Sequence, residues 1–279
     1  MLKFEITASR IVNPFETEKK YVAYTLSISL DTTDSETSKP SCLERRYTDF
    51  LNLYNGLKRE QPAMMAGVSF PKKVLMGNFD PELISCRSTG FESLLDHIAK
   101  ESKMREAACT IEFFQNAELF EAKKFMREKK YDQALFLFEN SFKLLNKLYT
   151  DRSRVVLVSL CRLVACGAGG SRVAGEDPGR DGALAGPVER WASLAMRRFD
   201  AVSDADLLTL YVPLIQACIS IWKVLGKDYL PLESDLGCMK RRGMKVDACP
   251  DLMNAIDQLE RSVEMEIFRQ RIELYRSIL

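Results

Sequence analysis

Two adjacent arginines and a tyrosine, Arg45, Arg46 and Tyr47, stand where a short β-patterned run (Ser41 to Arg45) gives way to a helical one. In that helix Phe50, Leu53, Tyr54 and Leu57 recur at i, i+3, i+4 and i+7, which marks a single buried face. The first turn of such a helix has unpaired N–H groups and the positive end of the dipole, and an arginine just before it can fork onto phosphate oxygens. The pattern therefore predicts an anion site of the phosphate type. The same two arginines also suit a solvated strand edge with Glu44 or Asp49 as partners. Further along, Lys72 and Lys73 form a cationic pair, and Arg87 falls near the inner edge of an amphipathic run, Glu82 to Lys100, whose apolar members are Leu83, Phe91, Leu94, Leu95 and Ile98. An inward arginine calls for an anion.

The elements that must position these residues are legible in outline. Leu2, Phe4 and Ile6 alternate with polar residues, as do Val22, Tyr24, Leu26, Ile28 and Leu30, which predicts two half-buried antiparallel strands. Residues 31 to 40 offer no apolar anchor and read as a mobile hairpin loop before the third strand. The stretch from Gln61 to Asn78 has prolines at 62 and 71 and glycines at 67 and 77, so it is not one regular element. It carries Met64, Met65, Val68, Phe70, Leu75 and Met76 beside Lys72 and Lys73. These side chains either close the core or dip into a bilayer while the ammonium groups meet headgroups.

Composition narrows the function classes. The 279 residues, 46% apolar and 28% charged, are enough for about two ordinary domains. Lys and Arg total 40 against 39 Asp and Glu, which leaves no global field to hold nucleic acid. Residues 1 to 101 hold 13 Lys and Arg against 14 Asp and Glu, so anion recognition must be local. Eight cysteines without a C-x-x-C pair, and a single histidine, predict no metal site and suggest reduced, mostly buried thiols of a cytoplasmic protein. His97 lies beside Asp96 inside a helical run with no nucleophile at motif spacing, so no enzyme and no cofactor is expected. The start of the chain lacks a signal-peptide pattern, and the longest uncharged run, Leu207 to Trp222, reads as a buried helix.

The second half reads as helical. A short helix is expected over Met104 to Phe114. Two more follow from Glu118 to Tyr149, joined at Lys129 and Lys130, with Ala122, Phe125, Tyr131, Ala134, Phe138 and Ser141 at the spacing of a tetratricopeptide-like (TPR-like) repeat. Further helices are predicted over Ser153 to Cys166, Pro187 to Phe199 and Asp206 to Leu225, with Pro213 as a kink. A terminal helix starting at Pro250 and Asp251 carries Leu252, Ile256, Leu259, Val263 and Ile267 on one face. Residues 166 to 186 hold seven of the fourteen glycines and read as a disordered loop. A basic run, Lys240 to Lys245, reads as solvated surface or a contact for an anionic partner.

The sequence Arg45-Arg46-Tyr47-Thr48-Asp49-Phe50 resembles the Arg-Arg-Tyr/Phe-Ser-x-Phe signature of the phox-homology (PX) domain of sorting nexins. Pro71-Lys72-Lys73-Val74 with Gly77-Asn78 resembles the end of the PX proline-rich loop, although the usual Pro-x-x-Pro core is absent, and Arg87 to Leu95 fits the family's basic helix pattern. The resemblance implies that Arg46 grips a 3-phosphate, Tyr47 stacks under the inositol ring, Lys73 meets the 1-phosphate and Arg87 binds the hydroxyls at ring positions 4 and 5. Lys72, Phe70, Leu75 and Met76 would be membrane contacts. It implies an α+β PX domain over 1–116, a three-stranded antiparallel sheet packed on helices. An all-α TPR-like domain over 117–279 would follow, as in the branch comprising sorting nexins twenty and twenty-one. The implied function is a non-enzymatic adaptor. It would bind phosphatidylinositol 3-phosphate on early endosomes and recruit a protein partner or cargo through its helices. A scaffold with an unused pocket and a preference for bis-phosphorylated lipids are the alternatives. An N-terminal extension preceding the first strand is also expected.

Overall fold

The computed structural model describes residues 2–13, 19–31, 39–176, 185–200, 202–263 and 265. Most of the hairpin loop expected at 31–40, residues 177–184 of the glycine-rich stretch and Ile267 lie outside them. The chain forms two compact units, residues 1–120 with 143–149 and residues 121–142 with 150–279.

In the first unit, β1 (Leu2–Val12), β2 (Tyr21–Leu30) and β3 (Ser41–Arg46) make an antiparallel sheet in the order β1-β2-β3. The register pairs Leu2 with Leu30 and Ala23 with Arg46, and it shifts between Ile6 and Ala8. At that irregularity the Ile6 N–H donates to the Glu92 carboxylate at 2.6 Å, so the amide stays paired. Helix α1 (Tyr47–Glu60) follows β3 without a break, and α2 (Pro81–Lys100) follows the loop. Asp80 caps α2 by accepting the Glu82 N–H at 2.8 Å, with Pro81 supplying a preset φ in the first turn. The alternation of β2 and the helical stripes of α1 and α2 converge on one core. Tyr24, Phe50 and Phe91 are fully buried there, with the Phe50 and Phe91 rings stacked at 3.9 Å and Tyr24 edge-on to Phe91 at 5.0 Å.

Beyond α2, α3 (Ser102–Arg105) is a single turn, and α4 runs from Ala108 to Arg127. The helix expected to end at Phe114 and the one expected to begin at Glu118 are therefore one element, because neither glycine nor proline interrupts 108–127. The boundary expected at 116/117 falls inside it. α5 (Tyr131–Leu148) begins after a turn in which Lys129 has φ +56°, as expected at Lys129 and Lys130.

The second unit is built on α6 (Arg154–Glu176), which packs against α7 (Ala185–Phe199) and α9 (Tyr211–Val224). The span Arg154–Ser171 is long and apolar enough to cross a membrane by length and composition, yet 72% of it is buried inside the protein, as in a core helix. The expected loop at 166–186 is corrected here. Residues 166–176 continue α6, and residues 177–184 lie outside the described ones. The glycines permit close packing instead of breaking the helix. A Cβ on Gly167 would lie 2.5 Å from Val188 Cγ1, and one on Gly169 would lie 2.5 Å from Tyr131 Cε1. The expected helix over Asp206 to Leu225 is likewise split, into α8 (Ala205–Leu208) and α9. Pro213 has no N–H for the Thr209 carbonyl and its ring crowds that group, so the helix restarts at Tyr211.

Helix α10 (Leu230–Arg241) has no buried residue, hence no apolar stripe by which sequence could announce it. Its C-terminal end carries Lys240, which is paired with Asp247, in the exposed basic run. Residues 252–263 are helical, with Leu252, Ile256 and Leu259 buried and Asp251 accepting the Asn254 N–H at 3.0 Å. This last helix is tied down by charge. Glu260 meets the buried Arg162, and Lys123 bonds Asp257 at 2.8 Å and Glu260 at 3.0 Å.

Candidate functional site

Strand periodicity sends the two arginines in opposite directions. Leu43 and Arg45 share the inward face of β3, and Arg46 points out. Arg45 is only 4% exposed and fully committed. Its guanidinium forks onto Glu118 with both contacts at 2.7 Å, and its remaining donors reach the Phe113 carbonyl at 2.7 Å and the Glu44 carbonyl at 2.8 Å. Arg46 precedes the first turn of α1. Its backbone N–H donates to Asp49 at 2.8 Å, while its side chain lies 3.5 Å from that carboxylate and stays 56% exposed. It is therefore a lightly held cation beside a helix start, free to be recruited by a stronger anion.

Tyr47 and Arg87 are brought into direct contact, the guanidinium carbon lying 4.2 Å from the ring centroid. Tyr47 also donates its hydroxyl to the Pro71 carbonyl at 2.8 Å. Burial pushes its phenol pKa up, and Arg87 opposes the shift. Arg87 itself is 2% exposed, and among the described residues no carboxylate pairs with it. Among the described residues its one hydrogen bond runs from Nη2 to Asn78 Oδ1 at 3.0 Å, and Nε has no partner. Among the described residues the Tyr24 hydroxyl, also buried, has no partner at full hydrogen-bond geometry. Burial raises its pKa and the nearby Arg87 pulls it back. A buried cation without a counter-ion is costly to keep, so the fold holds an unsatisfied positive charge at this point.

The loop from Gln61 to Asp80 is laced to the core through its carbonyls. Tyr54 donates to Val68 at 3.1 Å, Tyr47 to Pro71, and the His97 ring meets Met64 at 2.9 Å. Pro71 seats on α2 at Gly90, where a Cβ would come within 2.4 Å of its Cγ. Lys72 and Lys73 follow, both exposed and without an ion pair among the described residues. The apolar residues of the loop range from buried to fully exposed. Met65 is buried, and the half-buried Phe70 stacks on Tyr54 at 4.8 Å beside Tyr47 and Phe91, so its ring leans on the core. Leu75 and Met76 project at 96% and 86% exposure, carried by the turn at Gly77, whose φ is +77°. Asn78 stands in the sequence only as part of the Gly77-Asn78 ending that resembles the PX loop, with no role of its own.

Among the described residues no group of His, Cys, Asp and Glu could hold a metal ion. All eight cysteines are free, but only Cys161, Cys166 and Cys218 are buried, whereas Cys42, Cys86 and Cys238 are exposed, contrary to the expectation of mostly buried thiols. Burial raises the Cys109 thiol to about 11 and Cys166 and Cys218 to about 12, the opposite of what activates a nucleophile.

Comparison with known proteins bears on this geometry. The PX domain family profile matches residues 33–117. Human sorting nexin-21 is 30% identical over 255 residues, which cover 90% of this chain and 62% of that protein. Bovine sorting nexin-20 is 30% identical over 235 residues, covering 84% of this chain and 68% of that protein. The chain thus spans about two thirds of the length of these relatives. The crystal structure of the mouse SNX19 PX domain superposes with a TM-score of 0.34 at 20% identity, covering 40% of this chain and 95% of that one. With a PX profile across the arginine pair, the loop and α2, and with relatives aligned over most of its length, the chain belongs to the sorting nexin family of PX-domain proteins.

Proposed function

We propose that this protein is a phosphoinositide-binding adaptor that attaches to early endosomal membranes through phosphatidylinositol 3-phosphate. The observation that carries the reading is Arg87, 2% exposed, stacked on Tyr47 and without a carboxylate partner among the described residues. An inositol phosphate headgroup offers acceptors for the free donors of this arginine and brings anionic phosphates into the pocket that holds its charge. Arg46 takes the 3-phosphate, its weak contact with Asp49 giving way to a forked pair. Tyr47 offers ring surface to the inositol, Arg87 donates to the hydroxyls at positions 4 and 5, and Lys73 meets the 1-phosphate. Lys72, Leu75 and Met76 lie at the membrane surface, where apolar tips beside ammonium groups gain from both lipid tails and anionic headgroups. The domain division proposed is a PX domain over 1–116 and a helical protein-interaction domain over 117–279 that recruits cargo or trafficking partners. The protein acts by binding, not by catalysis, and needs no cofactor.

The test is co-sedimentation with vesicles that are bare or carry the 3-phosphate or the 4,5-bisphosphate lipid. The wild type should pellet with the 3-phosphate lipid, and Arg46→Gln, which loses a desolvated pair worth about 2–5 kcal/mol, should stay in solution while folded. Equal pelleting of the two proteins would overturn the assignment of Arg46, and failure of the wild type to pellet with any vesicle would overturn the lipid reading. Leu75→Asp with Met76→Asp should weaken vesicle binding and leave binding of a short-chain soluble lipid unchanged. Loss of both would place these residues inside the pocket.

A further inference from the structure

The carboxamide of Asn78 makes two bonds of opposite polarity. Oδ1 accepts from Arg87 Nη2 at 3.0 Å and Nδ2 donates to the Val74 carbonyl at 3.3 Å. A guanidinium only donates and a carbonyl only accepts, so the orientation of the amide is fixed by its partners. One side chain thereby ties the most buried cation among the described residues of the first unit to the backbone just before Leu75 and Met76. The chemistry of the acceptor matters more than its presence. A carboxylate here would neutralise Arg87, whereas an amide oxygen orients the guanidinium and leaves its full charge for a ligand. The other groups against Arg87 follow the same rule, since the Tyr47 ring and the nearby Tyr24 hydroxyl are both neutral.

We infer that Asn78 is a positioning residue of the anion pocket, holding Arg87 by a neutral acceptor so that its charge stays available, and anchoring the exposed tip of the loop with the same amide. This rests on the proposed headgroup site and adds to it a residue that need not touch the ligand. Asn78→Asp separates the two roles of the side chain, because it keeps an acceptor for Arg87 and supplies the missing counter-charge. A unit charge placed beside the guanidinium should weaken binding of short-chain phosphatidylinositol 3-phosphate by at least about tenfold. The thermal midpoint should not fall below that of Asn78→Ser, which offers a smaller neutral acceptor. A residue needed only for packing would show binding and stability falling together.

The experiment is calorimetric titration of the full chain with the short-chain lipid for wild type, Asn78→Asp, Asn78→Ser and Arg46→Gln, with thermal melts of each. Support is an Asn78→Asp protein that melts at or above Asn78→Ser yet binds at least tenfold more weakly than it. Asn78→Asp binding as tightly as wild type, or the two Asn78 variants weakened equally, would overturn the inference. If the wild type itself gives no binding while melting cooperatively, the headgroup reading fails first, and that outcome is recognised by the absence of any difference from Arg46→Gln.

Discussion

Replacing Arg45 by glutamine should destabilise the protein far more than the same replacement at Arg46, although the two are neighbours of identical type. Arg45 is 4% exposed and bonds Glu118 twice at 2.7 Å, so removing it leaves a carboxylate without its partner and takes away the guanidinium bonds to the Phe113 and Glu44 carbonyls. Breaking a buried pair from one side costs about 3–5 kcal/mol. Glu118 keeps 23% exposure and can partly rehydrate, which argues for the lower end, about 3 kcal/mol. With a urea dependence of about 2 kcal/mol per molar, the midpoint should fall by about 1.5 M. Arg46, 56% exposed and 3.5 Å from Asp49, should cost less than about 1 kcal/mol. Tryptophan fluorescence is the wrong probe, because Trp191 and Trp222 both belong to the second unit. Amide exchange in β3 across a urea series reads the loss where it arises. Equal destabilisation by the two variants, or an unmoved β3 in Arg45→Gln, would refute the division of labour between the arginines. A double-mutant cycle with Glu118→Gln should return most of the penalty, since the uncompensated charge is then gone.

Two other expectations concern the rest of the chain. Gly167→Ala should destabilise the second unit by about 1–3 kcal/mol despite the better helix propensity of alanine, because the new methyl would lie 2.5 Å from Val188 Cγ1; tryptophan fluorescence in urea would show it, and a stabilised variant would contradict the close packing. On the outer face of the sheet, Arg10 in β1 bonds Glu44 in β3 across the central strand at 2.8 and 2.6 Å, and this hydrogen bonding lowers the Glu44 pKa against the opposing effect of burial. A carboxyl depressed by folding contributes stability above its unfolded value and loses it as pH falls through its folded value. The wild type should therefore lose more stability than Glu44→Gln between about pH 5 and pH 3, and parallel acid titrations of the two proteins would deny the pair any role.

What sequence could convey depended on whether a feature repeats. The strands were legible because Tyr24, Leu26 and Ile28 alternate into a core that leaves each of them at 0% exposure, and α1 and α2 because their stripes meet there. The fates of Arg45 and Arg46 were also latent in the strand period: Leu43 and Arg45 have the same parity, so an inward Leu43 implies an inward Arg45 and an outward Arg46. The glycines of α6 misled for a physical reason. Glycine is read as a breaker from its intrinsic preference, whereas at 167 and 169 the packing of Val188 and Tyr131 leaves no room for a side chain, and tertiary contact overrides preference.

Asn78 could not be read in this way, because a single amide bonding a residue nine positions along and a carbonyl four positions back leaves no periodic trace. The resemblance quoted it within the Gly77-Asn78 ending of the loop, but the positioning role proposed for it leaves no mark of its own. Residues that meet a ligand by charge must be cations, and a scan of residue types finds them. Those that keep the cations unspent must be neutral, and neutral polar residues are the commonest occupants of any loop. The supporting half of an electrostatic site is therefore systematically less visible than the half that binds. It emerges only when each buried charge is asked which partner holds it and whether that partner neutralises it. For Arg45 the answer is Glu118, and the charge is consumed in the fold. For Arg87 it is Asn78 and a tyrosine face, and the charge remains. The proposal for Arg87 turns on that contrast, between two arginines buried to nearly the same degree, because exposure alone would class them together and only the chemistry of their partners sets them apart.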